Sequence, residues 1–395
     1  MKALIVRDNR YKKNWGCRST SIALTQIVSS YYEIIGSIGN SVDINRRVPV
    51  GDREDFIETD PQKSLENFLK HYNKNDELTD IHRKVLNSDI IFINGEGSFI
   101  FCTPSRRDLL FSLFIIQLCK HFDKKVCVIN SMLSDCPTTG RNEELAHVTQ
   151  QQLNKCDKVF FRDPISQKIG ESLGILNSNY VPDALFHWAK IYSDFLNDDP
   201  NLYPEMFASW PEEQFLFKAK KLPDEYICLS GASFHPFLNR GEWDSFFHKL
   251  TKKIKSATDL PLIMIQPGGD YFLKDIAEET DSIALPADGN ILLNMLVLSK
   301  AKAYVTGRYH PGIMASIGGT PCVFIESNSH KTLSLQHVMG YEPVIEHSIK
   351  DNNGTINAII DDLISKINME KELRFNFKTK SLQNAQSLNV YGKII

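Results

Sequence analysis

Two Rossmann-like α/β domains facing a cleft are what the sequence predicts, and three observations predict them. Short apolar, β-branched runs alternate with helical patterns, as they do in βαβ units built on a parallel sheet. The alternation occurs twice, in residues 1–190 and again in 222–345. At 395 residues the chain is long enough for two domains, or three, at roughly 150 residues each. Hydrophobic residues at 42% and charged residues at 24% belong to a folded globular chain and exclude a disordered one.

In the first half, Ala3–Val6, Asp89–Ile93, Val126–Ile129 and Val159–Phe161 read as strands, because strands covered on both faces are continuously apolar. Ser19–Ile35, Gln62–Tyr72, Ser105–His121 and Glu143–Asn154 carry helical periodicity. The composition then changes. Asp198-Asp199-Pro200, Pro204, Trp210-Pro211 and the basic Lys218–Lys221 cluster mark 191–221 as an inter-domain crossover with some helical content. The second half has strands at Tyr226–Leu229, Leu262–Ile265, Ala303–Thr306 and Cys322–Ile325. Its helices are Glu242–Lys255, Asp270–Glu278, Asn290–Ser299 and Pro311–Ile317. A C-terminal helical segment, 346–395, holds an amphipathic helix over 356–371 and then a polar tail. Ligands of such sheets collect at the carboxyl ends of strands. Two consecutive halves of this kind make a GT-B-like architecture.

Charge and cysteine usage narrow the class. Lys+Arg at 45 against Asp+Glu at 48 gives a net charge of −3, which supplies no basic field for nucleic acid. The apolar run Ala3–Val6 is too short for a signal-peptide core. The most apolar stretch, Leu109–Cys119, contains Ser112 and Gln117 and falls far below the ~18–20 residues of a spanning helix. A cytoplasmic location is expected. The eight cysteines form no C-x-x-C pair and mostly sit in apolar patterns. They are expected as reduced core residues, not as disulfides or zinc ligands.

Polar groups directly after predicted strands are the candidates for chemistry. Asn14-Trp15-Gly16-Cys17-Arg18-Ser19-Thr20 joins the first strand to a long helix. Gly16 permits a close approach, Ser19 or Thr20 is placed to cap the helix, and free N–H groups there suit an anion. Asn14, Gly16 and Arg18 are therefore binding candidates, with a plain strand–helix turn as the alternative. In Asn94-Gly95-Glu96-Gly97-Ser98 the glycines let the backbone fold back and push Glu96 into the open. There its carboxylate either takes a proton from a hydroxyl or solvates a turn. In Phe161-Arg162-Asp163-Pro164, Asp163 reads as a helix cap with proline in the first turn. Arg162 is either a cation aimed at the cleft or half of an ion pair. Pro182-Asp183 adds Asp183.

The densest pattern is Thr306-Gly307-Arg308-Tyr309-His310-Pro311, a strand ending in Gly-Arg-x-His before a helix, followed by Gly319-Thr320-Pro321, Glu326 and Lys331. Arginine grips carboxylate or phosphate with two donors, and histidine exchanges a proton near neutral pH. A core histidine with a paired arginine is the structural alternative. Gln266-Pro267-Gly268-Gly269 follows another second-half strand and is placed to line the same cleft.

Taken in order, these motifs resemble the polysaccharide pyruvyltransferase family over most of residues 1–345. The resemblance rests on Asn14/Gly16, Gly95-Glu96-Gly97, Arg162-Asp163-Pro164-Ile165-Ser166, Pro182-Asp183, Arg308/His310, Gly319-Thr320-Pro321 and Lys331. Two positions depart. Cys17 stands where family members often carry Asp, and Glu96 is the centre of a turn that is often Gly-Gly-Gly. The resemblance implies transfer of a pyruvyl group from phosphoenolpyruvate to two sugar hydroxyls, giving a cyclic ketal in bacterial cell-surface glycan synthesis. No metal and no redox cofactor is implied. Arg308, Arg162 and Lys331 would grip the donor's carboxylate and phosphate, His310 would protonate the enol carbon, and Glu96 would act as base. Asn14, Gly16, Arg18, Gly95, Gly97, Asp183 and Gln266 complete the expected binding set. The implied acceptor is a glycan or lipid-linked saccharide, which allows peripheral membrane contact at the inner face. Two alternatives stay open. One is a GT-B-like glycosyltransferase using a CMP-activated acidic sugar of the Kdo or sialic-acid type, which His310-Pro311 and Gln266-Pro267 also fit. The other is a scaffold without activity. Acceptor choice would lie in loops such as 36–60, 138–144 and 235–240, and Trp15, Phe234 and Trp243 either stack on sugar rings or pack in the core.

Overall fold

The computed structural model describes residues 1–12, 14–39, 46–195, 198, 222–233, 239–285, 290–349 and 352–394. Two sheets of six parallel strands organise them. The first has the order β2-β1-β3-β4-β5-β6, with β1 (Lys2–Asp8), β2 (Glu33–Gly39), β3 (Ile90–Phe101), β4 (Lys125–Asp135), β5 (Lys158–Phe161) and β6 (Ser178–Tyr180). The second has the order β12-β11-β10-β7-β8-β9, with β7 (Ile227–Ala232), β8 (Leu262–Ile265), β9 (Ile283–Leu285), β10 (Ala303–Gly307), β11 (Cys322–Ile325) and β12 (Glu346–His347). Each sheet reverses its winding once, between β1 and β3 in the first and between β7 and β10 in the second. A doubly wound sheet opens a crevice at the carboxyl ends of the strands where its winding reverses.

Around the first sheet lie α1 (Trp15–Ser29), α2 (Pro61–His71), α3 (Asp76–Asn87), α4 (Arg107–His121), α5 (Glu143–Leu153) and α6 (Pro164–Ser172), and α7 (His187–Ile191) follows them in the chain. With the second come α8 (Arg240–Ala257), α9 (Phe272–Glu279), α10 (Ile291–Lys300), α11 (Tyr309–Ile317), α12 (Lys331–Met339), α13 (Asn352–Asn368) and α14 (Glu370–Ser387). The chain divides into two compact units. One is Met1–Lys12, Thr20–Ala184 and Ser387–Ile395; the other is Lys13–Ser19 and Leu185–Gln386. The turn after β1 thus packs with the second unit.

Local chemistry sets many helix starts. Asp60 and Asp163 accept from the N–H groups of Gln62 and Ser166 at 2.8 Å, just ahead of Pro61 and Pro164. Asn239 and Glu242 cap α8 reciprocally. The core of the first unit contains an aromatic group in which the Phe114 ring lies 4.9 Å from Phe56 and 5.1 Å from Phe68. The core of the second is built under α8 and α13 from residues such as Trp243, Phe247, Leu250, Ile359 and Leu363.

Several boundaries differ from the sequence expectation. Helix α1 stops at Ser29, not Ile35, because Glu33 and Ile34 pair with Lys2 and Ala3 of β1; sheet pairing overrides the helical spacing of these aromatic and β-branched residues. Strands β3 and β4 run past their apolar stretches, since pairing continues through Glu96↔Ser131 to Phe101↔Asp135. The expected polar tail is helical. Helix α14 leads into a 3-10 segment, Leu388–Lys393, anchored by the fully buried Tyr391, whose ring lies 5.4 Å from Phe160. In the crossover, residues 196, 197 and 199–221 lie outside the described residues, as do Phe234, residues 235–238 and 40–45 of the loops named above. All eight cysteines are free, seven of them buried and Cys17 half-buried. No helix among the described residues is long and apolar enough to cross a membrane.

The aromatic group gives a direct stability test. Phe114→Ala removes a ring that is fully buried, so the unfolding free energy of its unit falls by ~3–5 kcal/mol. Urea unfolding of the variant beside the parent protein measures it.

Candidate functional site

Strand β10 is buried along its whole length and ends at Gly307. Gly307 pairs with Ala232 at the end of β7, and a Cβ on Gly307 would stand 2.1 Å from that of Ala232. Only glycine fits. Arg308 follows in extended geometry, and α11 begins at Tyr309, two residues before the expected start at Pro311. His310 therefore lies in the first helical turn. The Arg308 N–H donates to Thr306 Oγ1 at 2.9 Å. The Thr306 hydroxyl is 2.7 Å from Ser230 Oγ, which accepts from the Tyr304 hydroxyl at 2.6 Å. A buried chain of hydroxyls thus fixes the end of the strand on which Arg308 stands.

Asp270 sets the direction of the Arg308 side chain. Its Oδ2 accepts from Arg308 Nε and from the Gly231 N–H, each at 3.1 Å, and its Oδ1 accepts from Arg308 Nη2. This is a two-pronged guanidinium–carboxylate contact around a carboxylate only 1% exposed. Burial pushes the Asp270 carboxyl above its usual range, while Arg308 and the Gly231 N–H pull it back. Gly268 and Gly269 hold left-handed φ values of 94° and 84° and turn the chain after β8 so that Asp270 arrives here. A Cβ on Gly231 would meet Asp270 Oδ1 at 2.5 Å, so the β7 end must be glycine as well. Sequence reasoning singled out Gln266 and treated Asp270 only as the start of a helix. The legible signal was Gly-Gly-Asp after a strand.

The other second-unit candidates gather around this turn. The Gln266 carbonyl accepts from Trp15 Nε1 at 3.3 Å, and Trp15 is fully buried; it packs in the core. Asn14 caps α1, its Oδ1 accepting the Cys17 N–H at 3.2 Å. Ser19 and Thr20, the expected caps, lie inside the helix, where Ser19 Oγ donates back to the Trp15 carbonyl. A Cβ on Gly16 would come within 3.0 Å of His310 Cβ, and one on Gly268 within 3.5 Å of Asn14. Arg18 stands one turn into α1, half-buried. Lys331 opens α12, and its Nζ donates to Ser233 Oγ at 2.6 Å and Asn328 Oδ1 at 2.8 Å. Next to it, Thr332 donates to the Glu346 carboxylate. Burial and the neighbouring Glu326 push the Glu346 carboxyl up to about 7 against the pull of Thr332 and Lys331. A cavity of about 260 Å³ adjoins the turn, lined by Ala232, Arg240, Trp243, Asp270, Phe272, Arg308 and the two glycines. The Arg240 guanidinium lies 5.6 Å from the Phe272 ring centroid.

The first unit holds the remaining candidates. Glu96 is not in the open: it is 6% exposed, within β3, at φ 40°. Its Oε1 accepts from Asn9 Nδ2 at 2.7 Å and Asn94 Nδ2 at 3.2 Å. Asn94 Nδ2 also reaches the Arg7 carbonyl and Ser21 Oγ, both at 3.3 Å, and Asn94 Oδ1 accepts from Asn130 at 3.4 Å. Arg7, Glu96 and Asn130 have left-handed backbones, φ 65°, 40° and 51°, on three neighbouring strands. Such strain in non-glycine residues clusters at functional sites. Gly95 is obligatory, since a Cβ there would stand 2.4 Å from Ser131 Oγ. A Cβ on Gly97 would lie 3.8 Å from Arg162 Nη2. Of the two readings of Arg162, the structure has the ion pair: Nη1 donates to Asp183 Oδ2 at 3.2 Å, with both side chains buried. Sequence reasoning passed over Arg7, Asn9 and Asn130, because polar residues at strand ends show no periodicity of their own.

The expected residues therefore fall into two sets, each inside one unit. Residues 27–329 match the family described as Polysaccharide pyruvyl transferase. No curated protein matches the chain. Among solved structures, UDP-N-acetylglucosamine 2-epimerase from Rickettsia bellii is similar with a TM-score of 0.56 and 11% identity, over 99% of this chain and 97% of that one. UDP-GlcNAc 2-epimerase from Neisseria meningitidis, bound to UDP-GlcNAc, gives 0.54 and 11% over 100% and 98%. That from Methanocaldococcus jannaschii gives 0.52 and 11% over 91% and 92%. At these identities the likeness is one of fold, two Rossmann-like domains of GT-B-like type.

Two measurements test the site's electrostatics. Asp270→Ala leaves the Arg308 guanidinium without its carboxylate and lowers the unfolding free energy by ~3–5 kcal/mol, read by denaturant unfolding. For Glu346 the folded pKa of about 7 lies above the ~4.3 of an unfolded chain. The native state keeps a proton the unfolded state has lost, so this group makes stability fall as pH rises from about 4.3 to 7. Glu346→Gln removes that fall. Its melting temperature relative to the parent rises between pH 5 and pH 8.

Proposed function

The chain belongs to the polysaccharide pyruvyl transferase family, and from that premise we propose that it moves a pyruvyl group from phosphoenolpyruvate onto two hydroxyls of a sugar, closing a cyclic ketal on a cell-surface glycan or its lipid-linked precursor. The observation that carries this reading is the turn after β10, where a carboxylate-clamped arginine and an imidazole stand at the start of one helix. A small donor with a carboxylate and a phosphate needs fixed cations. Asp270 takes the Nε and Nη2 edge of Arg308 and holds the guanidinium in place for an anion without reorganisation. Lys331 supplies a point charge, and the N-terminal N–H groups of α11 favour phosphate. The cavity beside Arg308 is large enough for such a donor.

In this scheme His310 gives a proton to the methylene carbon, and C2 becomes electrophilic. A sugar hydroxyl bonds to C2 and gives up its proton. The bond from C2 to the phosphate oxygen then breaks, and phosphate leaves with the electron pair toward Arg308 and Lys331. A second hydroxyl adds to C2. Of the two hydroxyl protons, one returns to His310 and the other leaves with phosphate. Asn14, Gly16, Arg18, Gly95, Gly97 and Gln266 shape the two turns.

Purified protein incubated with phosphoenolpyruvate and a panel of glycans is expected to release phosphate and add a pyruvate ketal, read by mass spectrometry. Arg308→Ala and His310→Asn should each lower kcat/KM by ~10²–10⁴. A thermal-shift series separates the donors, because a ligand bound by the native state raises the melting temperature. Stabilisation by CMP or a CMP-sugar and none by phosphoenolpyruvate would replace this reading with glycosyl transfer.

A further inference from the structure

The carboxyl ends of β3 and β4 carry a feature that the proposed chemistry does not use. The two strands pair in parallel, and their last paired positions are Phe101 and Asp135. The next residue on each chain is a cysteine, Cys102 and Cys136. Neighbouring strands run about 4.8 Å apart, inside the roughly 4.4–6.8 Å that a disulfide spans between Cα atoms. At these strand ends the two cysteine side chains come together. There they form a small cluster with Ile100 and Met132, separate from the main core. Cys136 Sγ lies 3.1 Å from Thr138 Oγ1.

Five other cysteines differ from these two. Burial pushes the thiols of Cys119, Cys127, Cys156, Cys228 and Cys322 up, Cys127 and Cys322 to about 12. Cys136 goes the other way. Burial raises it, but hydrogen bonds from Thr138, Thr139 and Cys102 outweigh that and bring it down to about 6. At neutral pH it is a thiolate, the nucleophilic form. Cys102, pushed up by burial, keeps its proton beside it. The pair is slightly exposed, at 8% for Cys102 and 6% for Cys136, which suits a small oxidant.

From this geometry we infer that Cys102 and Cys136 are a peroxide-reactive dithiol that closes reversibly to a disulfide. The Cys136 thiolate attacks one peroxide oxygen, the O–O bond breaks, and a sulfenic acid forms as the other oxygen leaves as hydroxide and is protonated to water. The Cys102 sulfur then attacks the Cys136 sulfur. The S–O bond breaks, and the departing hydroxide takes the Cys102 proton as a second water. Two thiols lose two electrons in all, and hydrogen peroxide gains them.

The test uses the whole folded protein and hydrogen peroxide, with alkylation in denaturant and digestion without reduction. The expected result is one new linked peptide joining Cys102 to Cys136, a loss of two of the eight titratable thiols, and full recovery with dithiothreitol. Cys17→Ser keeps the link. Cys102→Ser stops at a sulfenic acid on Cys136 that dimedone traps. If that variant does not fold, the peptide map of the parent protein decides alone. Retention of all eight thiols, a link through any other cysteine, or oxidation of Cys136 to sulfinic acid without a link would overturn the inference.

Discussion

The contact between Arg308 and Asp270 is the constraint on which the second unit's site depends. A buried carboxylate is costly unless paired and hydrogen-bonded, and Asp270 is satisfied by Arg308 and the Gly231 N–H together. Three neighbouring strands must cooperate for this. β7 contributes the glycine that admits the carboxylate, β8 the Gly268-Gly269 turn that delivers it, and β10 the arginine. A guanidinium held this way presents a fixed face to an anion, which a long flexible side chain at a free surface does not.

The first unit reaches a comparable arrangement by another route. Glu96 is held by amide side chains, not by a cation, and the backbone around it is strained at Arg7, Glu96 and Asn130. Each such residue costs of the order of 1–3 kcal/mol, while each hydrogen bond returns only ~1 kcal/mol net. The cluster therefore adds little stability, and its residue types are better explained by the carboxylate they hold than by the fold.

Legibility followed the range of the interactions involved. Continuous apolar runs marked eight of the strands, because burial on both faces is written locally into composition. The pairs of two or three residues, β6, β9 and β12, left no such trace, and neither did the end of α1 at Ser29. Arg308, His310 and Gly16 stand out in the sequence because a strand, a glycine and a helix start are adjacent there. Asp270 was missed as a partner because it lies 38 residues from Arg308. Glu96 was found for its glycines but misplaced, since the same backbone freedom that exposes a side chain in a simple turn buries it when two strands continue past it.

The sequence by itself determined the α/β class, the two successive halves and the positions of the polar turns, all of which depend on neighbours within one or two turns of chain. Only the tertiary structure decided which carboxylate meets which cation: Asp270 with Arg308, and Asp183 with Arg162. It also decided that the turn at 13–19 packs with the second unit and that Cys102 and Cys136 stand side by side. These pairings come from strand order and register. Both are fixed by the summed burial of whole elements, a quantity that no single stretch of residues carries.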